Sequence, residues 1–217
     1  VVGQILDALG TLPWSDRLEG LTGKAADSID SVALFASKRW LRDEQANQML
    51  DLLRRKLQWK REETEVLSTW AFEKMKEGYH SQERYKTENS FRMLRIAGDE
   101  LGGGKICTVG FLVNVNKNHW VAVVINGKEK KLYYGDSLRN PIARSTKDVL
   151  TWWTKYHTGT EFTCCSLPIT IQEDSFSCGI FALNALTAYV LDGEELLLAK
   201  DVTVERLRIM KDLLYHH

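Results

Sequence analysis

The chain has 217 residues, 44% hydrophobic and 27% charged, an ordinary globular composition with room for one large domain or two small ones. Its 29 Lys and Arg balance 29 Asp and Glu, so no bulk basic charge argues for a nucleic-acid partner. No apolar run approaches the roughly 18 residues a membrane-spanning helix needs.

Residues 1–38 read as a mixed lead-in, with Pro13 and scattered glycines but no sustained period, and the main domain is expected over 39–217. Ala46, Met49, Leu50, Leu53 and Leu57 fall at helical spacing, with Asp43 as an acid in the first turn. A second helix is expected over 62–78, closed by Gly78, and a short third over 88–97. Gly102-Gly103-Gly104 then marks a loop. Val109, Phe111, Val113 and Val115 alternate as a strand does, and 121–125 is apolar on both faces, as in a buried strand. Asn126-Gly127 turns the chain into a returning strand around 131–134. A helix is expected over 144–157, a short strand over 167–171, and a buried, Pro-free helix over 178–191. Val204, Leu207, Met210 and Leu214 suggest a last helix. Helices, then strands, then a buried helix make an α+β class.

The hairpin carries the first chemical signal. A type II′ turn at Gly127-Lys128 would pair Asn126 with Glu129 and set His119 opposite Asp136. A turn at Asn126-Gly127 would set His119 opposite Tyr134, with Asp136 diagonal to it. Either register keeps the imidazole and the carboxylate on one face. A carboxylate on one ring nitrogen fixes the tautomer and favours the imidazolium. The plainer reading makes His119 a loop residue and Asp136 a turn former.

Cys178 is the candidate nucleophile. It stands where the mostly polar stretch 172–177 gives way to Gly179-Ile180-Phe181-Ala182-Leu183. A thiol at a helix N-terminus faces the positive end of the macrodipole and free amides, which favours its thiolate. Gly179 would let a substrate backbone approach closely. The competing reading of Cys178 is a small buried hydrophobe. The four cysteines (Cys107, Cys164, Cys165, Cys178) are too few and too uneven for a disulfide framework and point to a reducing compartment. His157 with Cys164 and Cys165 lacks the C-x-x-C spacing of a zinc site. The chain opens Val1-Val2-Gly3 without Met and is expected to be a piece of a longer protein, so its lack of a targeting segment carries little weight.

Four motifs in order, Trp40-Leu41-Arg42-Asp43, His119-Trp120, Asp136-Ser137 and Gln172 ahead of Cys178-Gly179, resemble the Ulp1/sentrin-specific cysteine peptidases. That family processes SUMO and related ubiquitin-like modifiers, and the likeness runs over about 38–214. It implies a papain-like α+β fold, permuted so that the chain order is His, Asp, Cys. Cys178 would then be the nucleophile, His119 the base and acid, and Asp136 the orienting carboxylate. Gln172 would donate its side-chain amide to the oxyanion. Trp40 and Trp120 match the family's channel tryptophans, which enclose a slot that a Gly-Gly tail can thread. Asp43 resembles the acid that meets a basic patch on the modifier. The sequence departs from better-known members at Ser177, where they carry Asp, and in a shorter stretch between Asp136 and Cys178. The glycines at 102–104 read as an insertion.

The expectation is a thiol isopeptidase or endopeptidase cleaving after the Gly-Gly of a ubiquitin-like modifier, SUMO first, without metal or organic cofactor. Its partners would be the modifier and its lysine-linked conjugates, with no nucleic acid and no membrane, met by a monomer in the nucleus or cytoplasm. NEDD8 or ubiquitin as modifier, an acyltransferase, and a non-catalytic modifier-binding domain are the alternatives.

Overall fold

The computed structural model of the protein describes residues 2–11, 29–60 and 63–216. Helix α1 (Val2–Thr11) and a 3₁₀ helix (Ile29–Ala36) precede α2 (Asp43–Lys60). Strand β1 (Thr64–Val66) leads into α3 (Trp70–His80), α4 (Gln82–Thr87) and α5 (Arg92–Gly102). Strands β2 (Thr108–Val115), β3 (His119–Asn126) and β4 (Lys131–Gly135) follow, then α6 (Arg144–Thr158), β5 (Thr163–Ser166), α7 (Cys178–Val190) and α8 (Val202–Tyr215). The strands lie in sequence order in one mixed sheet. The β2–β3 and β3–β4 pairs are antiparallel, and the outer pairs β1–β2 and β4–β5 are parallel. The class is α+β.

Residues alternate between two cores because strand side chains alternate between faces. Val121, Val123 and Ile125 of β3 join Phe111 and Val113 under α3, α5 and α6. Ala122 and Val124 join Leu112 against α2, α7 and α8. A strand covered on both faces is apolar throughout, as 121–125 is. Helix α7 is apolar nearly all round because it lies within the second of these cores. Ile29, Val32 and Phe35 of the lead-in are buried in that same core, against α8 and α2. Lead-in residues 12–28, Pro13 among them, lie outside the described residues.

Several expected elements differ. The helix expected over 62–78 is a strand followed by a shorter helix (Glu62 itself lies outside the described residues). Thr64 and Val66 are β-branched and suit a strand, and the Leu67 amide extends the pairing by donating to Gly110 O at 2.9 Å. Arg54 holds the turn into α3 by donating from Nε to Val66 O at 2.7 Å. The helix expected over 88–97 is present as a 3₁₀ turn (Asn89–Phe91) that runs into α5, which continues to Gly102. The strand expected over 167–171 sits earlier, at Thr163–Ser166. Its ladder ends with Leu167 N donating to Tyr134 O at 2.9 Å, since Pro168 has no donor. On α8, Val204 is exposed and the buried face runs through Val202, Arg206, Ile209 and Leu213.

Among α4, α5 and α6 a polar chain runs from the buried Trp153 and Tyr85 through His157 to the exposed Asp99. Trp153 Nε1 donates to Tyr85 Oη at 2.9 Å, Tyr85 Oη meets His157 Nε2 at 2.7 Å, and His157 Nδ1 meets Asp99 Oδ1 at 2.8 Å. A carboxylate only accepts, so His157 carries its proton on Nδ1 and takes the tyrosine hydroxyl on Nε2. Burial, opposed by Asp99, pulls the His157 pKa down, which keeps the ring neutral. Both nitrogens are occupied in this way, so His157 has none left for a metal.

Gly98 makes that arrangement possible, because a Cβ there would fall 2.3 Å from His157 Cδ2. Gly98→Ala is therefore expected to cost about 1–3 kcal/mol through overpacking, outweighing the roughly 1 kcal/mol that alanine adds to helix propensity. Urea unfolding checks this, and an unchanged or raised midpoint contradicts it.

Candidate active site

Three stretches meet at one end of the sheet: the start of β3, the residue after β4, and the start of α7. Asn116 and Lys117 both have positive φ, 54° and 60°, and Asn118 N donates to Val115 O at 3.2 Å, which makes a type I′ turn. That turn launches β3 at His119. The following hairpin is not in either expected register. Asn126 pairs with Lys131 and Ala122 with Gly135, across a four-residue loop at 127–130. Lys130, not Gly127, takes the positive φ, and Asn126 Oδ1 holds the loop by accepting Glu129 N at 2.8 Å. The slip from the first expected register is two residues, so side chains keep their face. His119 and Asp136 are diagonal neighbours.

They are joined all the same, His119 Nε2 to Asp136 Oδ1 at 2.7 Å, and both are buried. The Asp136 carboxylate is fixed by its own turn. Leu138 N donates to Oδ1 at 2.7 Å and Asn140 Nδ2 to Oδ2 at 3.2 Å. Burial works against ionisation of Asp136, but the bonds from His119, the Leu138 amide and Asn140 hold its carboxyl below the usual range. Nε2 donates to the carboxylate, which leaves Nδ1 for the Cys178 thiol, whose influence on the ring helps raise its pKa. Burial alone would lower the His119 pKa; hydrogen bonds to Asp136 and Cys178 overcome it and push the value up to about 9. A thiol and an imidazole so placed can exchange a proton, with the carboxylate stabilising the imidazolium.

The segment ahead of α7 is shaped by Asp174. Its Oδ1 accepts Phe176 N at 2.9 Å and Ser177 N at 2.8 Å, and its Oδ2 accepts the Ser177 hydroxyl at 2.7 Å. Ser177 O then takes Ile180 N at 3.0 Å, and the helix begins at Cys178. Gln172 is tied to the acid's strand end. Its backbone N donates to Ser137 O at 3.1 Å, its Oε1 accepts the Ser137 hydroxyl at 2.6 Å, and its Nε2 donates to Asp174 O at 2.8 Å. Sequence reasoning missed Ser137, Asp174 and Asn140 as supports. The signals were a polar residue directly after the acid and an Asp three residues before Ser177, at Asx-turn spacing.

Trp120 is buried, with Nε1 donating to Leu41 O at 2.8 Å. Trp40 is half exposed, and its Nε1 donates to Ser175 O. Trp40 therefore meets the segment that ends at Cys178, and Trp120 lies against Gly179 just after it. A Cβ on Gly179 would sit 3.3 Å from Leu41 Cδ1 and from Trp120 Cδ1, so the chain packs against this glycine from within. Asp43 is the first residue of α2 and half-buried. On the other flank, a cleft of about 540 Å³ between α3, the β2–β3 turn and the start of α6 reaches His119 and Asp136.

The chain's residues 105–214 match the Ulp1 protease family, C-terminal catalytic domain. No curated protein sequence matches the chain. Among solved structures, it is similar to the C-terminal Ulp1 protease domain in complex with Smt3, the yeast orthologue of SUMO (19% identity, 99% of this chain and 93% of that one, TM-score 0.68). It is likewise similar to the Chaetomium thermophilum Ulp1-like SUMO protease catalytic domain (16% identity, 99% and 88% covered, TM-score 0.67). The Xanthomonas campestris effector XopD bound to ubiquitin is similar over less of the chain (19% identity, 83% and 92% covered, TM-score 0.52). At these identities the structures speak for the fold, while the family match spans His119, Asp136, Gln172 and Cys178 alike. The chain belongs to the Ulp1 protease family and is a cysteine peptidase.

Proposed function

We propose that this peptidase cleaves after the C-terminal Gly-Gly of a ubiquitin-like modifier, with SUMO the first candidate. The observation that carries the chemistry is an imidazole bonded to a buried carboxylate and electrostatically coupled to a thiol at a helix start. Support for the modifier class comes from the Ulp1 domain bound to Smt3, with XopD bound to ubiquitin as the runner-up's support. In this reading the Cys178 thiolate attacks the glycine carbonyl and forms a tetrahedral intermediate. Gln172 Nε2, released from Asp174 O, and the Cys178 amide donate to its oxyanion. The imidazolium of His119 gives its proton to the departing lysine amine as the C–N bond breaks, leaving a thioester on Cys178. Water, deprotonated by His119, hydrolyses the thioester and restores the thiol. Trp40 and Trp120 would close over the tail, and Asp43 would meet the modifier's basic surface.

A SUMO bearing a C-terminal electrophile should form a covalent adduct on Cys178, read by mass spectrometry, and label faster than matched NEDD8 or ubiquitin probes. Equal labelling of wild type and Cys178→Ala would refute the mechanism, and faster labelling by ubiquitin or NEDD8 would change the modifier.

The raised pKa of His119 sets a pH window. Its folded value of about 9 lies above the ordinary 6.5, so the stability it contributes is complete below about 6.5 and lost as pH climbs towards 9. Activity should fall along the same alkaline limb, as the proton needed by the leaving amine is lost. A kcat/KM profile flat to pH 10 would contradict this assignment.

A further inference from the structure

Ser137 directly follows Asp136 and is fully buried. It holds Gln172 twice: its carbonyl accepts the Gln172 backbone N at 3.1 Å, and its hydroxyl donates to Gln172 Oε1 at 2.6 Å. Gln172 is buried as well, and its Nε2 donates to Asp174 O at 2.8 Å. A backbone carbonyl only accepts, so the NH₂ end of the Gln172 amide faces Asp174. The oxygen end then faces Ser137, whose hydroxyl, able to give or take a proton, gives it. Reversing the amide would set Oε1 against Asp174 O, two acceptors together in a buried place where an unmet hydrogen-bonding group is costly.

The two ends of that amide have different tasks in the reaction proposed above. Nε2 leaves Asp174 O for the oxyanion, whereas Oε1 meets no developing charge and can stay on Ser137. An amide anchored at its oxygen brings Nε2 forward by turning about a fixed point. Donors aimed in advance at the place where charge develops are what an oxyanion site contributes to rate. Two neighbouring residues thus divide the work: Asp136 accepts from His119 at 2.7 Å, and Ser137 holds the amide across from it.

We propose that Ser137 is a positioning residue of this peptidase, whose hydroxyl fixes the oxygen end of the Gln172 amide so that its NH₂ end serves the oxyanion. This rests on Gln172 donating to the oxyanion and on Cys178 being the nucleophile. The bond from Gln172 N to Ser137 O is made by the backbone, so Ser137→Ala takes away the hold on the amide while the segment keeps its tie to the end of β4.

The test compares wild type, Ser137→Ala, Gln172→Ala and the double variant by two readouts. One is turnover of whichever modifier fusion (SUMO, NEDD8 or ubiquitin) the wild type cleaves fastest, so the choice of modifier does not enter. The other is iodoacetamide alkylation of the Cys178 peptide against pH. Alkylation displaces iodide from a saturated carbon and forms no oxyanion, so it reads the thiol and His119 but not the Gln172 amide. Ser137→Ala should lower kcat by about tenfold with KM within about twofold, and Gln172→Ala should lower it by about 10²–10³-fold. The double variant should fall no further than Gln172→Ala, because the two act as one unit. Alkylation profiles should overlay wild type in all three. A Ser137→Ala enzyme with wild-type kcat beside a slowed Gln172→Ala overturns the proposal alone. So does a Ser137 effect that persists in full without Gln172, or an alkylation profile that moves, since Ser137 then acts through Asp136 and His119 or through the fold. Gln172→Ala at the wild-type rate overturns the proposal together with the oxyanion role of Gln172, and a wild type that cleaves no modifier fusion overturns both with the modifier reading. Should Ser137→Ala not fold, Ser137→Cys decides alone, since a thiol keeps the size but donates weakly. A loss of about tenfold in kcat that vanishes in the Gln172→Ala background then supports the proposal, and wild-type kcat overturns it.

Discussion

Cys178→Ala is expected to lower modifier-fusion turnover by about 10⁴-fold or more while leaving modifier affinity unchanged within about threefold. The side chain is 3% exposed at the first turn of a helix inside the main core, so its replacement by alanine removes one sulfur and little packing. A residual rate within tenfold of wild type would mean that another group performs the attack. The same protein separates the remaining alternatives. A binding module with no turnover would show the same affinity in wild type and variant and no product from either. An acyltransferase would lose activity with Cys178 too, but wild type would pass the modifier to an added amine in preference to water, which product analysis reads directly.

The pairing of His119 with Asp136 was legible in the sequence for a reason that tolerates error. Both expected hairpin registers were displaced from the observed one by an even number of residues, and an even slip leaves every side chain on its own face. What the sequence could not supply was the loop length, because Asn126 fastens Glu129 through its side chain and moves the positive φ to Lys130. The start of α7 was readable from the switch between polar and apolar residues at Cys178. The strand at Thr64–Val66 was not, because it is three residues long and takes its stability from pairing with β2, a long-range contact without local periodicity. Gly179 shows a different limit. A glycine beside a nucleophile suggests an approaching substrate, whereas this one faces Leu41 and Trp120. Arg206 did leave a trace, as a charged residue on the apolar stripe of an amphipathic helix, where an arginine is out of place unless buried acceptors take its hydrogens, as the carbonyls of Leu34, Phe35 and Arg39 do.

Asp136→Asn should lower kcat/KM by about 10²–10⁴-fold at neutral pH and bring the alkaline limb down from about 9. The argument is electrostatic before it is geometric. Burial opposes protonation of His119, and the carboxylate's hydrogen bond and charge are the main forces against it. An amide is neutral, so it can keep an oxygen near Nε2 but cannot hold the imidazolium. Its NH₂ must also face a donor, since the Asp136 oxygens accept from the Leu138 amide and from Asn140 as well as from His119. Both effects favour a neutral, less firmly oriented ring. The thiolate of Cys178 then loses its counter-ion, and the leaving amine loses its proton donor. Alkylation of Cys178 below neutral pH should slow in the same variant, which a merely misfolded protein would not distinguish from alkylation of an exposed thiol; an intact near-UV spectrum is therefore part of the measurement. An Asp136→Asn enzyme within threefold of wild type, with its alkaline limb still near 9, would show that the carboxylate neither orients nor charges the ring.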